Sequence, residues 1–244
     1  MTTTGTASFN LDLNDLVEEA FERCGKELRT GYDLRTARRS LNLLTIEWAN
    51  RGINLWTIEQ GQIAMVTGQA TYDLPVDTID LLDQVIRTQP GTLQQTDINI
   101  NRISESTYST IPNKLTQGRP IQVWINRQSG ATNPGVPTNT VNYPQINVWP
   151  TPNDPGSQYT FVYWRLRRIQ DAGDGVNTQD IPFRFLNCMV AGLAYYLSIK
   201  LPDVPQERIM GLKADYEQQF QLAADEDREK ASIRFVPRNM SYTR

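Results

Sequence analysis

The stretch at residues 180–231 constrains the fold most strongly, because its pattern is typical of two helices joined by a proline-marked turn. The first helix is predicted over residues 182–200, where apolar residues recur at three- and four-residue spacing and Pro182 suits a helix first turn. It ends at Leu201, because the residue before a proline avoids the α conformation. The second helix is predicted over residues 205–231, with one apolar stripe and charged flanks. Two helices with such narrow stripes cannot bury each other alone, so they require other helices of this chain or of neighbouring copies.

Two more helices are predicted near the N-terminus. One covers residues 12–24, with Asp12 as its N-cap and Gly25 as its stop. The other covers residues 33–50 and closes at Gly52. Its polar face carries three arginines, which indicate either a solvated helix face or a contact with an acidic partner: Arg35, Arg38 and Arg39.

The middle of the chain has the pattern of strands and turns. Short apolar runs broken by turn residues predict strands at residues 81–89, 121–126, 145–149 and 158–166, and a short helix at 102–111. A long polar loop at residues 128–143 is either an interaction surface or disordered. We therefore predict an α+β fold. Its four-helix bundle comes from residues 1–54 and 180–231, and an antiparallel β sandwich or barrel-like domain is inserted at residues 55–179.

Composition restricts the possible functions. The chain has 244 residues and a net charge of −3, which argues against a general polyanion binder. No apolar run is long enough to predict a membrane span, and the N-terminus lacks the pattern of a signal peptide, so we expect no membrane partner. Cys24 and Cys188 fall in helical patterns and are predicted to be buried thiols, with a disulfide between them as the alternative.

No catalytic arrangement is evident, so we expect neither an enzyme nor a cofactor or metal. Histidine is absent, which removes the commonest general base and metal ligand. No glycine-rich phosphate loop occurs, and two isolated cysteines do not make a structural zinc site. A glycosidase needs only two carboxylates. Four acids are therefore candidates for a cell-wall hydrolase, although solvated acids are the ordinary interpretation: Asp80, Asp83, Asp97 and Glu105.

Five aromatic residues on neighbouring predicted strands offer another hypothesis. Aromatic rings on a strand face can stack on sugars or bases, whereas large aromatics ordinarily fill a core. Both interpretations stay open for Trp124, Trp149, Tyr159, Tyr163 and Trp164. The basic cluster nearest to them is Arg165, Arg167 and Arg168.

The last thirteen residues, 232–244, combine arginines with apolar side chains and contain no acid. Disposable tails are usually rich in glycine, serine or glutamate, whereas this composition is typical of an extended segment that docks on a partner. The candidate docking residues are Ile233, Arg234, Phe235, Val236, Pro237, Arg238, Met240 and Tyr242.

Four segments in this order resemble one family of proteins. They are SLNLLTIEWANRGINLW, GQATYDLPVDTIDLLDQVI, INVWPTP with the later YTFVYWRLRRI, and IPFRFLNCMVAGLAYYLSIKL followed by LKADYEQQFQLAADEDREK. Together they resemble the head-to-tail adaptor proteins of tailed phages, in particular the tail tubular A-type or gatekeeper adaptors. The resemblance spans about residues 10–235.

The resemblance implies a structural protein of the virion at the head-to-tail junction, assembled in the host cytoplasm. Members of the family form a ring with copies of themselves, commonly a dodecamer, under the portal protein. The ring surrounds a channel for DNA passage during ejection, so contact with genomic DNA is transient. By position, the tail at residues 232–244 would bind the portal, and the β domain would face the nozzle or another tail protein. The alternative function is a virion-associated carbohydrate-binding or cell-wall hydrolase module that uses the aromatics and acids above.

Overall fold

The structure is a computed structural model, and it describes residues 3–29, 31–53, 55–127, 143–153 and 159–228. These residues form an α+β fold. The helices are α1 Leu13–Cys24, α2 Gly31–Arg51, α3 Glu105–Ser109, α4 Leu186–Ser198 and α5 Gln206–Glu226. The strands are β1 Ile58–Ala64, β2 Thr71–Asp73, β3 Thr78–Thr88, β4 Thr96–Asn99, β5 Asn101–Ile103, β6 Gln117–Gly118, β7 Gln122–Asn126, β8 Gln145–Trp149, β9 Thr151–Pro152 and β10 Tyr159–Arg167.

Local sequence signals set the ends of α1. The Asp12 carboxylate accepts a hydrogen bond from the backbone N–H of Asp15 at 2.9 Å, which satisfies one of the free donors at the helix start. Gly25 adopts a left-handed conformation (φ +73°), and its N–H donates to the carbonyl of Glu22. Both boundaries agree with the prediction for this helix.

Helix α4 is the centre of the helical region, which comprises α1, α2, α4 and α5. Ten of its thirteen residues are buried, and α1, α2 and α5 each pack against it. This packing differs from the predicted four-helix bundle, in which each helix would pack on two neighbours. The reason is that α4 is apolar on all sides, so it requires neighbours all round, whereas the other helices have one apolar stripe each.

Helix α5 is shorter than the predicted helix at residues 205–231. It ends at Glu226, because Asp227 leaves the helical conformation. The Asp227 carboxylate accepts a hydrogen bond from the backbone N–H of Leu55 at 3.3 Å. This contact ties the end of α5 to the start of the strands.

The β region, residues 55–167, has two four-stranded sheets that share a second core. One sheet is antiparallel, in the order β1-β10-β3-β4, and the other has the order β2-β8-β7-β5. Buried side chains from both sheets form one hydrophobic cluster, which includes Ile86 and Phe161 from the first sheet and Val123 and Ile146 from the second. Neither sheet closes into a barrel in the described part of the chain.

The prediction of a wholly antiparallel β domain is wrong for the second sheet. Strands β5 and β7 pair in parallel, because the chain crosses over through α3 between them. The short strands β6 and β9 also pair in parallel. Strands β4 and β5 were not predicted, since their sequences are polar and lack an apolar alternation.

The segment 168–182 leads from β10 to α4 and contacts the start of α1 and the middle of α2. Its carbonyls at Asn177 and Gly175 accept hydrogen bonds from the first N–H groups of α1, at Leu13 and Asn14. The Ala172 N–H donates to the side-chain oxygen of Asn42 on α2 at 2.8 Å. This segment therefore supplies backbone acceptors to the start of α1, in addition to the side-chain cap from Asp12.

Candidate interaction surfaces

A cluster of paired charges joins the β region to the chain that leads into α4. The Arg165 guanidinium on β10 donates to Asp77 at 2.6 Å and to Glu59 at 2.8 Å. Its side chain is only 11% exposed. Arg167, two residues further along, donates to the other oxygen of Glu59 at 2.6 Å and forms a two-bond ion pair with Asp180. Because Asp180 lies just before α4, this pair fixes where the helical region begins relative to β10.

The electrostatics of Asp180 follow from this pairing. Burial alone would raise the pKa of its carboxyl, but hydrogen bonds from Arg167 and from the Gln170 N–H outweigh burial and lower that pKa. Asp180 is therefore an anion held by two donors. The sequence associated Arg165 and Arg167 with possible ligand-binding aromatics. Arg165 instead pairs with acids inside the β region, and Arg167 links that region to the segment before α4.

Aromatic contacts continue this joint into the helical core. The indole N–H of Trp56 donates to the carbonyl of Asp180 at 2.9 Å, and its ring lies 4.8 Å from that of Phe185. Phe185 also contacts Trp48, whose indole N–H donates to the hydroxyl of Tyr216 at 3.2 Å. Burial raises the pKa of Tyr216, so this phenol remains neutral.

The outer face of α2 carries apolar side chains that the described residues leave exposed. Tyr32, Leu43 and Ile46 are 69%, 53% and 50% exposed. Arg35 and Arg39 are also exposed and lie on the same face, at three- and four-residue spacing. We call these five residues the α2 outer face. Sequence reasoning found its arginines and missed its apolar residues, although their helical spacing opposite the buried stripe was a usable signal.

A groove adjoins the α2 outer face where α4 ends. It has a volume of about 540 Å³, and its lining includes Tyr32, Arg39, Leu43, Leu197, Leu201 and Pro202. Leu197 belongs to the core, as does Phe21, which also lines the groove, and Tyr32, Arg39 and Leu43 lie on the outer face. This surface can therefore accept a chain of complementary shape without rearranging the core.

Helix α1 presents an acidic face. Asp15, Glu18 and Glu22 are exposed on the side of α1 opposite its buried residues. Phe9, on the segment before α1, is 76% exposed and lines a cavity of about 380 Å³ together with all three acids. We call these four residues the α1 acidic face.

The predicted partner-binding segments lie outside the described residues. This applies to the tail and all its candidate docking residues: Ile233, Arg234, Phe235, Val236, Pro237, Arg238, Met240 and Tyr242. It also applies to residues 128–142 of the long polar loop. Their roles remain predictions.

The structure separates the three predicted arginines of α2. Arg38 turns towards the 168–182 segment, where it donates to the carbonyl of Ala172 at 3.3 Å and pairs with Asp174. Arg35 and Arg39 remain on the outer face. The interpretation as a contact with an acidic partner therefore applies to Arg35 and Arg39 and not to Arg38.

The five candidate aromatics do not form one stacking surface. Tyr163 is buried in the β core and Tyr159 packs against that core. Trp124 stacks on Tyr108 of α3 at 5.2 Å, and Trp149 donates to the carbonyl of Asn113 at 3.0 Å. Trp164 lines a cavity of about 510 Å³ with Asp83, Gln84, Val85, Asn99, Ile100 and Asn101.

The four candidate acids are likewise dispersed. Asp97 accepts two hydrogen bonds from Arg87, which lower the pKa of its carboxyl, and Asp80 pairs with Arg102 at 2.8 Å. Glu105 is exposed at the start of α3, and Asp83 lies beside Trp164. The described residues contain no group of three or more Cys, Asp or Glu placed to hold a metal ion.

Cys24 and Cys188 are buried free thiols, as predicted. Burial raises the pKa of Cys24 to about 11 and that of Cys188 to about 12. The Cys24 thiol donates to the carbonyl of Ala194 on α4 at 3.1 Å. Both are therefore unreactive packing residues.

None of the helices in the described ranges is long and apolar enough to cross a membrane. No individual curated protein matches the chain. The family described as SU10 adaptor protein matches residues 11–240, which cover nearly the whole sequence and both regions of the fold. The predicted resemblance to phage head-to-tail adaptors is thereby confirmed, and this chain belongs to the SU10 adaptor protein family.

Proposed function

We propose that this protein is a structural head-to-tail adaptor that assembles into a ring, with about twelve copies as in the related adaptors, around a channel for DNA. In this proposal residues 1–54 and 180–231 form the ring, and residues 232–244 bind the portal protein. Residues 55–179 face the nozzle or another tail protein. The ring occupies the head-to-tail junction of the virion after assembly in the host cytoplasm.

The observation that carries the proposal is the α2 outer face on a chain of the adaptor family. Three apolar side chains stand exposed along one long helix, beside a groove and two arginines. Contiguous exposed apolar residues bordered by polar ones are typical of protein interaction sites. A structural role that depends on contacts between proteins accounts for this surface.

Two further features support the proposal. The ion pair of Arg167 with Asp180, together with the contacts of Trp56 to Asp180 and Phe185, ties the β region to the segment that leads into α4, which suits a part that transmits contacts between two partners. The net charge of −3 suits a channel through which DNA slides, because many phosphate contacts would produce a salt-dependent brake.

The test of portal binding is deletion of residues 232–244. We expect the truncated protein to fold and to form rings, but to lose most of its binding to purified portal rings in a pull-down or by surface plasmon resonance. The reason is that the tail supplies apolar and cationic side chains that need a partner groove. Portal binding equal to that of the full chain would contradict the tail's role.

Two matched tail variants separate the contribution of the apolar side chains to portal binding from that of the arginines. One replaces Phe235, Val236 and Met240 with serine and keeps the arginines, and the other replaces Arg234, Arg238 and Arg244 with glutamine. We expect the serine variant to bind portal less tightly at every salt concentration. The glutamine variant should lose the salt dependence of binding, because screening acts on the charges.

One observation favours a second candidate function, which is carbohydrate binding in the β region. Trp164 lines its cavity together with Asp83, Asn99 and Asn101, which are side chains suited to sugar hydroxyls. Asp83 is the one carboxylate among the described lining residues, so the arrangement supports binding rather than hydrolysis. If the function is correct, Trp164→Ala abolishes binding to soluble bacterial polysaccharide, whereas Trp124→Ala retains it. Absence of binding by the unaltered protein would remove this candidate.

A further inference from the structure

We propose that the α2 outer face of one copy binds the α1 acidic face of the next copy around the ring. The inference rests on the proposed function, because it assumes that the chain assembles with itself, and it adds which surfaces meet. Both surfaces belong to the helical region and are exposed in the single chain. The occupant of the α2 outer face is thus a second copy of this protein.

The cations of the α2 outer face lack an ion-pair partner in the part of the chain that the structure describes. Arg35 and Arg39 form no ion pair with any described residue, and the apolar side chains of Tyr32, Leu43 and Ile46, before and after them on the same face, are at least half exposed. Lys200, at the end of α4, lines the neighbouring groove beside Arg39, so this lining has two cations and one acid, Asp33. The surface is therefore both apolar and cationic, and it requires an apolar, anionic partner.

The α1 acidic face has the complementary composition. Asp15, Glu18 and Glu22 form no ion pair within the described part of the chain, and Phe9 supplies an exposed aromatic ring beside them. Arginine and aromatic residues are enriched at protein interfaces. Charge pairs across an interface also fix its register and exclude wrong partners.

Other charged residues on α1 and α2 do form ion pairs within the chain, so only some of the charges on these two helices lack one among the described residues. Glu19 on α1 pairs with Arg23 at 2.9 Å. Arg51 on α2 pairs with Glu47 and with Glu217. The charges directed towards other helices of the chain are thus paired internally, and those directed outwards remain available.

The placement of the two faces explains why they meet between copies. Helices α1 and α2 each pack their buried side on α4, so each outer face points away from it. One surface binding a different surface on the next copy is a head-to-tail contact, and such contacts close into rings when the rotation per copy allows. The same contact repeats around the ring, so every copy uses both faces.

Charge reversal tests the contact directly. We expect the double variant Arg35→Glu/Arg39→Glu to raise the protein concentration needed for half-assembly by roughly tenfold or more, because like charges then face each other. The double variant Glu18→Arg/Glu22→Arg should do the same. Assembly is measured by mass photometry over a range of concentrations, with and without purified portal rings.

Combining the reversals supplies the decisive result. An equal mixture of the two double variants should assemble, because each reversed face then meets an opposite charge on the other variant. The protein that carries all four reversals should also assemble. Recovery in both cases requires that the two faces touch, which separates the contact from a loss of folding.

The control is Arg119→Glu/Arg168→Glu, which changes the net charge equally at two exposed arginines outside both faces. It should assemble like the unaltered protein. Normal assembly of both double variants, or failure of the mixture and of the fourfold variant to recover, would overturn this inference while leaving the ring intact. If the unaltered protein forms no oligomer even with portal, the proposed function itself is wrong.

Discussion

The helical region and the β region achieve stability by different means. In the helical region, three other helices pack around α4, whose small residues Ala191, Gly192 and Ala194 permit a close approach. In the β region, large aliphatic and aromatic side chains from two sheets fill the space between them, with Phe161 and Ile86 among the fully buried. The first core is therefore built around one buried helix, with the large rings of Trp48, Phe185 and Tyr216 packed in the same cluster, and the second is built between two sheets.

The two regions also differ in their outward charges. In the β region and at the joint, arginines pair with acids of the same chain, as Arg87 with Asp97 and Arg102 with Asp80. In the helical region, the α2 outer face and the α1 acidic face keep their charges unpaired among the described residues. A charge that is paired internally fixes the shape of the protein, whereas an unpaired one is available for assembly. This difference connects the fold to the proposed ring.

The largest expected effect tests whether the two cores are separate. Phe161→Ala removes a fully buried ring from the β core and should lower the free energy of unfolding by about 3–5 kcal/mol. Because no buried residue belongs to both clusters, hydrogen exchange should accelerate in β3 and β10 much more than in α4. Leu82→Ala, at an exposed position of β3, is the control and should change little. Equal acceleration in α4 would show that the two cores open as one unit.

The second prediction concerns the joint between the regions. Arg167→Ala leaves Asp180 and Glu59 without their shared cation and should cost about 2–3 kcal/mol of unfolding free energy. This is less than for a fully buried pair, because Glu59 is partly exposed. Urea unfolding measures the change. Arg168→Ala, at the neighbouring exposed arginine, is the control and should have no measurable effect.

The joint also has a defined pH dependence. The folded-state pKa of Asp180 is lowered below its unfolded value of about 3.9, so its stabilising contribution is present above that pH and is lost as the pH falls through the folded value. The difference in stability between the unaltered protein and Arg167→Ala should therefore shrink between neutral pH and about pH 3. A constant difference across this range would show that the ion pair does not carry the effect.

The smallest predicted effects compare one substitution at two glycines. A Cβ at Gly192 of α4 would lie 2.9 Å from Leu44 and Tyr216, so Gly192→Ala should destabilise the protein by about 1–3 kcal/mol. Gly211 of α5 has no atom within 4 Å of that position. Gly211→Ala should therefore stabilise the protein by about 0.5–1 kcal/mol, because alanine favours a helix. The melting temperatures of the two variants measure both changes in stability. Equal shifts in melting temperature would contradict the close packing around α4.

The boundaries of α1, the strands β7, β8 and β10 and the overall α+β class follow from the sequence by itself. Capping residues, turn residues and apolar periodicity act over a few neighbours, so they can be recognised without the rest of the chain. The order of four segments was likewise enough to indicate the adaptor family, and the family match over residues 11–240 agrees with it. Docking of the tail at residues 232–244 stays a hypothesis, because its partner is another protein.

Only the tertiary structure decided which arginines hold the protein together and which face outwards. In the sequence, Arg38 and Arg39 are neighbours and are equivalent, yet one pairs with Asp174 and the other lies exposed on α2. Arg165 and Arg167 likewise found their partners at Glu59, Asp77 and Asp180, far along the chain. The tertiary structure likewise decided the central position of α4 and the parallel pairing of β5 with β7. Each depends on contacts between distant segments, whose distances and directions are set only when the whole chain has packed.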